Sequence, residues 1–246
     1  MLKELADKIE ELVNGQVKPE FVEHEGLEYI KTKDGFHLNR YPEPRGVFSL
    51  YSLTGLVEMV KTTVKEEVGN IKLPLLINVD RNDVKVLTTL DRYNNRSALF
   101  VCSPTVPRID FGCEMGVERF IVLLSTAFVD TENTRKLIGA VSQLSVVEEI
   151  KLEDDGITQT VTAKQGSSLS KQYQLQPIVN LKPIRTYSEI EQVESKYLLR
   201  VSKNGQIRLL EADGGQWIMQ AQQRIVEYLK SNLEDLIKDN KVVIVG

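Results

Sequence analysis

Two short stretches of this chain bring carboxylates close enough together to do chemistry. The first, "RTYSEIEQVESKY" from Arg185 to Tyr197, places Glu189 and Glu191 two residues apart. The second, "EADGGQW", adds Glu211 and Asp213 immediately before a pair of glycines. Carboxylates that converge can hold a divalent cation or act as general acid and base. A metal-dependent enzyme that uses these four side chains from neighbouring strands is therefore one function that the sequence leaves open.

A structural role explains the same residues with fewer assumptions. In an extended segment Glu189 and Glu191 share one face, where solvent satisfies them, and Arg185 can pair with one of them. The chain has no GxSxG motif and only two histidines, which disfavours a nucleophilic triad. We therefore assign no catalytic residue and keep five candidate binding residues: Arg185, Glu189, Glu191, Glu211 and Asp213.

The glycine pair is better explained as a turn than as a phosphate loop. No Lys-Ser/Thr follows Gly214 and Gly215, and no GxGxxG motif is present. A strand that becomes a helix within two or three residues needs glycine for its dihedral angles, and Asp213 suits a position near a helix start. Trp217, the single tryptophan, then falls in the first helical turn, and we expect it in the core.

Composition disfavours several classes of function. The net charge is −4, whereas nucleic-acid binders usually carry a basic excess, so the charge argues against nucleic acid as a partner. Two cysteines without a CxxC motif do not indicate a structural zinc site, and we expect neither a metal nor a cofactor. No run of 18 apolar residues is present, so we expect a soluble, cytoplasmic protein without a membrane span.

One local exception to the acidic balance lies in the predicted β-meander. Basic residues interleave there with Tyr93, as they do on surfaces that stack nucleobases; they are Arg81, Lys85, Arg92 and Arg96. Acidic neighbours weaken that interpretation, and a solvated strand face accounts for the pattern.

Hydrophobic periodicity predicts an α+β fold with mixed, mainly antiparallel sheets and packed helices. Helical spacing is clearest at residues 1–15, 53–64, 116–129, 131–145 and 216–238, with Ser52 and Thr131 as N-caps. Alternating and β-branched runs predict the strands, and residues 206–246 are predicted to form a strand-turn-helix-strand unit. A boundary near residue 110 divides the chain into an N-terminal part (1–110) and a C-terminal α+β part (111–246), although a single domain is nearly as compatible.

The chain ends in "KVVIVG", whose Val242, Val243, Ile244 and Val245 favour a strand buried on both faces. Such a terminal strand either completes its own sheet or exchanges with a neighbouring subunit. These four residues are therefore candidate oligomer contacts.

Three segments of the chain resemble the YfdQ-like family of phage and prophage proteins. They are "PEPRGVFSLYSLTGLVEMV" (42–60), "PIRTYSEIEQVESKYLLRV" (183–201) and "LLEADGGQWIMQAQQRIVEYL" (209–229), and residues 97–130 depart from the family pattern. The resemblance implies a phage-encoded accessory protein made in the host cytoplasm, and it implies no reaction. The sequence thus predicts a non-enzymatic homo-oligomer that binds a host protein or small ligand. The alternatives are the metal-dependent enzyme and an accessory of phage DNA replication or recombination.

Overall fold

The computed structural model describes residues 20–24, 27–32, 34–38, 46–65, 71–91, 94–143, 149–154, 159–165, 169–202 and 204–246. The helix predicted at residues 1–15 lies outside these ranges. Strands and helices mix along the chain, which confirms the α+β class.

Two small antiparallel sheets each consist of three consecutive strands. The first contains β1 (Glu20–His24), β2 (Leu27–Thr32) and β3 (Gly35–Leu38). The second contains β9 (Glu149–Asp154), β10 (Gln159–Gln165) and β11 (Leu169–Leu175). Both follow the expected order of hairpins in the chain, because antiparallel neighbours need only a short connection.

A five-stranded mixed sheet carries the first hydrophobic core. Its order is β15 (Val242–Val245), β5 (Leu75–Asp80), β6 (Asp83–Leu87), β7 (Ala98–Cys102) and β4 (Phe48–Leu50). The two edge strands run parallel to their neighbours, and the central pairs are antiparallel. Helices α1 (Leu53–Lys65), α4 (Gln216–Asn232) and α5 (Glu234–Lys238) supply side chains to this core.

A four-stranded antiparallel sheet carries the second core. Its order is β12 (Ile178–Leu181), β13 (Ser195–Val201), β14 (Ile207–Glu211) and β8 (Glu114–Met115). Helices α2 (Val117–Ala127) and α3 (Glu132–Ser142) pack against one face of it through Phe120, Leu124 and Leu137. Alternate residues of β13 are buried on that face, as the period of a half-covered strand requires.

The two cores do not separate at the boundary predicted near residue 110. Helix α4 and strand β15 lie at the end of the chain, yet their buried residues Ile225, Leu229 and Val242 belong to the first core. The connection between β12 and β13 also sends Tyr187 and Ile190 into that core. Long-range packing therefore joins the C-terminal segment to residues 53–102, a relation that no local pattern encodes.

Local signals placed most helix starts correctly. The Ser52 hydroxyl accepts a hydrogen bond from the Gly55 amide (3.2 Å), and the Thr131 hydroxyl accepts one from the Thr134 amide (3.2 Å). The single helix predicted over 216–238 is interrupted at Leu233, where the backbone leaves helical angles and the buried side chain joins the core. Among the helices of the described residues, none combines the length and apolar character that crossing a membrane requires.

The last strand completes the sheet of its own chain. Residues Val242 to Val245 pair in parallel with Leu75 to Asn78 of β5. The expected burial on both faces is wrong: Val242 is buried, but Val243 and Val245 are 45% and 41% exposed. β15 is an edge strand that packs on helices through one face only. A contact of these residues with a second subunit stays a prediction.

Removal of residues 241–246 should destabilise the monomer fold. The truncated chain loses the β15–β5 ladder and the buried Val242 side chain, whose burial alone contributes roughly 1.5–3 kcal/mol. We expect a lower melting temperature and an unchanged particle mass by light scattering. A smaller particle at an unchanged melting temperature would contradict this expectation and would indicate that the strand instead holds subunits together.

Candidate functional site

The candidate site lies in the connection between β12 and β13, where the chain passes between the two cores. Arg185 stands in this connection, at the end of the packed face of the four-stranded sheet, and its residue surface is only 9% exposed. It meets the first residue of β13, the last residue of β14 and the first turn of α4. We call Arg185, Ser195, Glu211, Asp213 and Trp217 the Arg185 cluster.

The Arg185 guanidinium makes three kinds of contact at once. Its Nη1 donates to Glu211 Oε1 (2.6 Å), and its Nη2 donates to the Ser195 hydroxyl (2.5 Å). The planar group also lies over the Trp217 ring, with Cζ 4.0 Å from the ring centroid. Arginine suits such a site because its fork of donors pairs with a carboxylate while its flat face stacks on an aromatic ring.

Burial and charge oppose each other in this cluster. Burial lowers the pKa of the Arg185 guanidinium, and the nearby Tyr197, Glu211 and Asp213 offset part of that shift. Burial also acts on Asp213, but the Ser195 hydroxyl, the Gly215 amide and the Arg185 charge hold its pKa below the usual value. The cluster is therefore an internal ion pair in which the positive charge already has its counter-ion.

The Gln192 side chain shapes the backbone around Arg185. Its Oε1 accepts from the amides of Arg185 (2.9 Å) and Thr186 (3.2 Å), and its Nε2 donates to the Tyr187 carbonyl (3.0 Å). Asn82, from the turn between β5 and β6, donates to the Arg185 carbonyl (2.7 Å). A buried loop must satisfy its backbone polar groups, and these two amide side chains do so.

The same connection attaches to the first core. The Tyr187 hydroxyl donates to the Cys102 carbonyl (2.7 Å) in a site where burial raises the tyrosine pKa. Glu189 Oε1 accepts from the Thr54 amide (3.1 Å) in the first turn of α1. A carboxylate at this position satisfies a free amide of the helix and interacts favourably with the helix dipole. Glu189 therefore acts as a cap for a helix that is distant in sequence.

The remaining carboxylates also have partners of their own. Glu191 forms an ion pair with Lys182. The hydrogen bond from the Lys182 ammonium is the main reason why the pKa of Glu191 is lowered. Arg224 of α4 donates to the Glu191 carbonyl (2.6 Å). Asp213 Oδ1 accepts from the Gly215 amide (3.0 Å) at the start of that helix.

The four carboxylates proposed as metal ligands thus point to four different partners. Glu189 contacts α1, Glu191 contacts Lys182, Glu211 contacts Arg185, and Asp213 contacts the turn before α4. Across the described residues, no group of three or more His, Cys, Asp or Glu side chains has the arrangement of a cation site. The geometry therefore lends no support to the metal-dependent alternative.

The turn at Gly214 and Gly215 has a backbone that only glycine adopts easily. Their φ angles are +64° and +79°, in the left-handed region, and Gly215 is the N-cap of α4. The turn delivers Trp217 to the first helical turn as expected. The expectation that Trp217 is a core residue is not met: it is partly exposed and covers the Arg185 guanidinium, because the core-facing positions of α4 begin at Ala221.

Three buried groups that organise the site lie in the stretch 185–197 but are not among the residues that the sequence predicted for it. Gln192, Ser195 and Tyr197 are all buried, but an uncharged polar residue between glutamates gives no signal of burial. The spacing of Ser195, Tyr197, Leu199 and Val201 does carry period two and could have placed Ser195 on the packed face.

The basic residues of the meander are only partly described. Arg92 and Tyr93 lie outside the described residues, and Arg96 Nη1 donates to the Thr88 carbonyl (2.9 Å), which is a contact within the loop. Lys85 is exposed on β6. The interleaved surface suggested for nucleic acid therefore stays a prediction.

A search of protein-family models, of curated proteins and of solved structures gave no match to this chain. The resemblance to the YfdQ-like family accordingly stays a prediction from the three sequence segments.

Substituting Glu211→Gln should lower the free energy of unfolding by about 1–3 kcal/mol, because it leaves the Arg185 charge buried without its counter-ion. The value lies below the 3–5 kcal/mol of a fully buried pair, since the Glu211 side chain is 41% exposed. Urea unfolding followed by Trp217 fluorescence measures it. Glu132→Gln, in the exposed Glu132–Lys136 pair of α3, is the matched control and should change little. Equal effects of the two substitutions would show that Arg185 does not depend on Glu211.

Alanine at either glycine of the turn should destabilise the protein by about 1 kcal/mol or more, because alanine is strained at positive φ. The control is Gly139→Ala in the interior of α3, where an added Cβ meets open space. That change should raise stability by roughly 0.5–1 kcal/mol, the difference in helix propensity. Thermal melting of the three variants measures the expected losses and the expected gain in stability. Gly214→Ala and Gly215→Ala proteins that are as stable as the parent would contradict the strained-turn explanation.

Proposed function

We propose that this chain is a non-enzymatic accessory protein of phage or prophage origin. It works in the host cytoplasm as a homo-oligomer and binds a host protein or a small ligand. The observation that carries the proposal is the state of the Arg185 cluster, in which the Arg185 charge is paired with Glu211 and covered by Trp217, and Asp213 accepts from the Gly215 amide. A catalytic constellation needs groups that are free to meet a substrate.

The resemblance supports the origin without adding a reaction. The two most specific segments, 183–201 and 209–229, contain the Arg185 cluster and its connections to both cores. Proteins that share the residues that hold a fold together share an architecture, and those residues do not specify a reaction. Such proteins can act by binding through their surfaces, and both large sheets present partly exposed side chains on the face opposite their helices.

Native mass spectrometry of the protein purified from infected cells tests this proposal. We expect masses at multiples of 27.9 kDa, together with a retained protein or ligand. The folded fraction of the Glu211→Gln variant should retain the same partner, because the cluster has a structural role. A monomer without a partner would contradict the proposal. Loss of the partner from folded Glu211→Gln protein would instead place the binding site at the cluster.

A further inference from the structure

The face of the four-stranded sheet opposite α2 and α3 carries an apolar row next to a charged row. Ile178, Leu198 and Leu210 are cross-strand neighbours on β12, β13 and β14. Ile178 is 50% exposed, and the two leucines are partly exposed. The next row contains Arg200, Arg208 and Glu114, in register on β13, β14 and β8.

Two arginines stand directly opposite each other in this charged row. Arg200 pairs with Arg208 across the β13–β14 ladder, so their Cβ atoms lie roughly 5 Å apart, and like charges at that distance destabilise a sheet. Glu114 accepts from Arg208 Nη2 (2.8 Å) and balances one of the two charges. Arg200 Nη1 and Arg208 Nε are buried and have no hydrogen-bond partner in the described part of the chain.

This arrangement costs folding free energy, since it combines like-charge repulsion with unsatisfied buried donors. Locally unfavourable arrangements of this kind occur preferentially at functional sites. Both guanidinium groups are otherwise partly exposed, so a negatively charged acceptor can reach their remaining donors. Bidentate contact with a carboxylate is the interaction for which guanidinium groups are best suited.

A third cation completes the pattern on the other side of the apolar row. Lys196 precedes Leu198 by two residues, lies on the same face of β13 and is exposed. Along β13 the successive rows are therefore basic, apolar and basic, and neighbouring rows lie roughly 6.8 Å apart. We call Lys196, Arg200 and Arg208, with the apolar row between them, the basic face. Its positive charge contrasts with the net charge of −4 of the whole chain.

We propose that the basic face binds an acidic amphipathic helix of a partner protein, in which a narrow apolar stripe is flanked on both sides by Glu or Asp. The apolar row crosses three strands and extends about 10 Å, close to two helical turns. The flanking carboxylates of such a helix would reach Lys196 on one side and the arginine pair on the other. The inference rests on the proposed binding function and adds to it the surface and the class of partner.

Charge and composition favour this occupant over two others. A second copy docked through the same face would bring the arginine pairs together, which is unfavourable. Single-stranded nucleic acid would supply phosphates, but it binds through aromatic stacking as well, and the apolar row is aliphatic.

Fluorescence anisotropy with a labelled synthetic peptide tests the proposal on the full-length protein. The probe is a helical peptide with one leucine stripe flanked by glutamates. The controls are a peptide with lysines in place of the glutamates and a peptide of the same composition in scrambled order. We expect weak binding of the probe alone, and binding that falls as salt rises. Absence of binding at about 1 mM peptide, the weak end of the measurable range, would overturn the proposal.

The variant Arg200→Met separates binding from folding. It keeps most of the unbranched stem of the side chain and removes both the repulsion and the unsatisfied donor. We therefore expect an unchanged or higher melting temperature together with peptide affinity weaker by about tenfold. Lys85→Met, at an exposed strand position of the five-stranded sheet, is the matched control and should leave affinity unchanged. A lower melting temperature in Arg200→Met would make the arginine pair structural and would overturn the proposal.

Two further results would also overturn it. One is preferential binding of a labelled single-stranded DNA that Arg200→Met abolishes, and the other is a dimer that dissociates in that variant. Failure here is distinguishable from failure of the binding function. If Arg200→Met protein from infected cells keeps its partner, the basic face is the wrong surface and the binding function stands.

Discussion

Burial of the Arg185 guanidinium is the constraint on which the arrangement of the two cores depends. An arginine that is 9% exposed cannot lose its charge, so its surroundings must supply a counter-ion and hydrogen-bond acceptors. Glu211, Ser195 and the Trp217 ring do so from three different elements. The end of β14, the start of β13 and the first turn of α4 are therefore fixed around one side chain.

The consequences extend in both directions from that side chain. On one side, the glycine turn must bring Trp217 over the guanidinium within six residues of the end of β14, which requires two successive left-handed residues. On the other side, Gln192 and Asn82 satisfy the backbone that holds Arg185. From there Tyr187 and Glu189 attach the connection to β7 and α1. Loss of the central ion pair would therefore weaken contacts between both cores.

The residues that look most reactive in the sequence are consequently the ones most involved in holding the fold. Each candidate carboxylate satisfies a cation or a backbone amide of the same chain. On the basic face, by contrast, Glu114 pairs with Arg208 alone, and Arg200 has no ion pair within the described residues. This difference in charge balance is compatible with an interaction surface on the four-stranded sheet. It gives a physical reason to look for partners at the basic face rather than at the Arg185 cluster.

Local sequence patterns were sufficient to predict the α+β class, most strands, the caps at Ser52 and Thr131, and the glycine turn, because these depend on local periodicity and local hydrogen bonds. Pairing across the chain had no such local signal. Four such contacts are visible only in the folded chain: β15 joins β5, Glu189 caps α1, Glu211 neutralises Arg185, and Arg200 lies opposite Arg208. Exposure of Val243 and partial exposure of Trp217 followed from edge position and helix phase, which depend on what packs against each element. A charged residue in a sequence specifies the need for a partner, and only the folded chain specifies which partner is within reach.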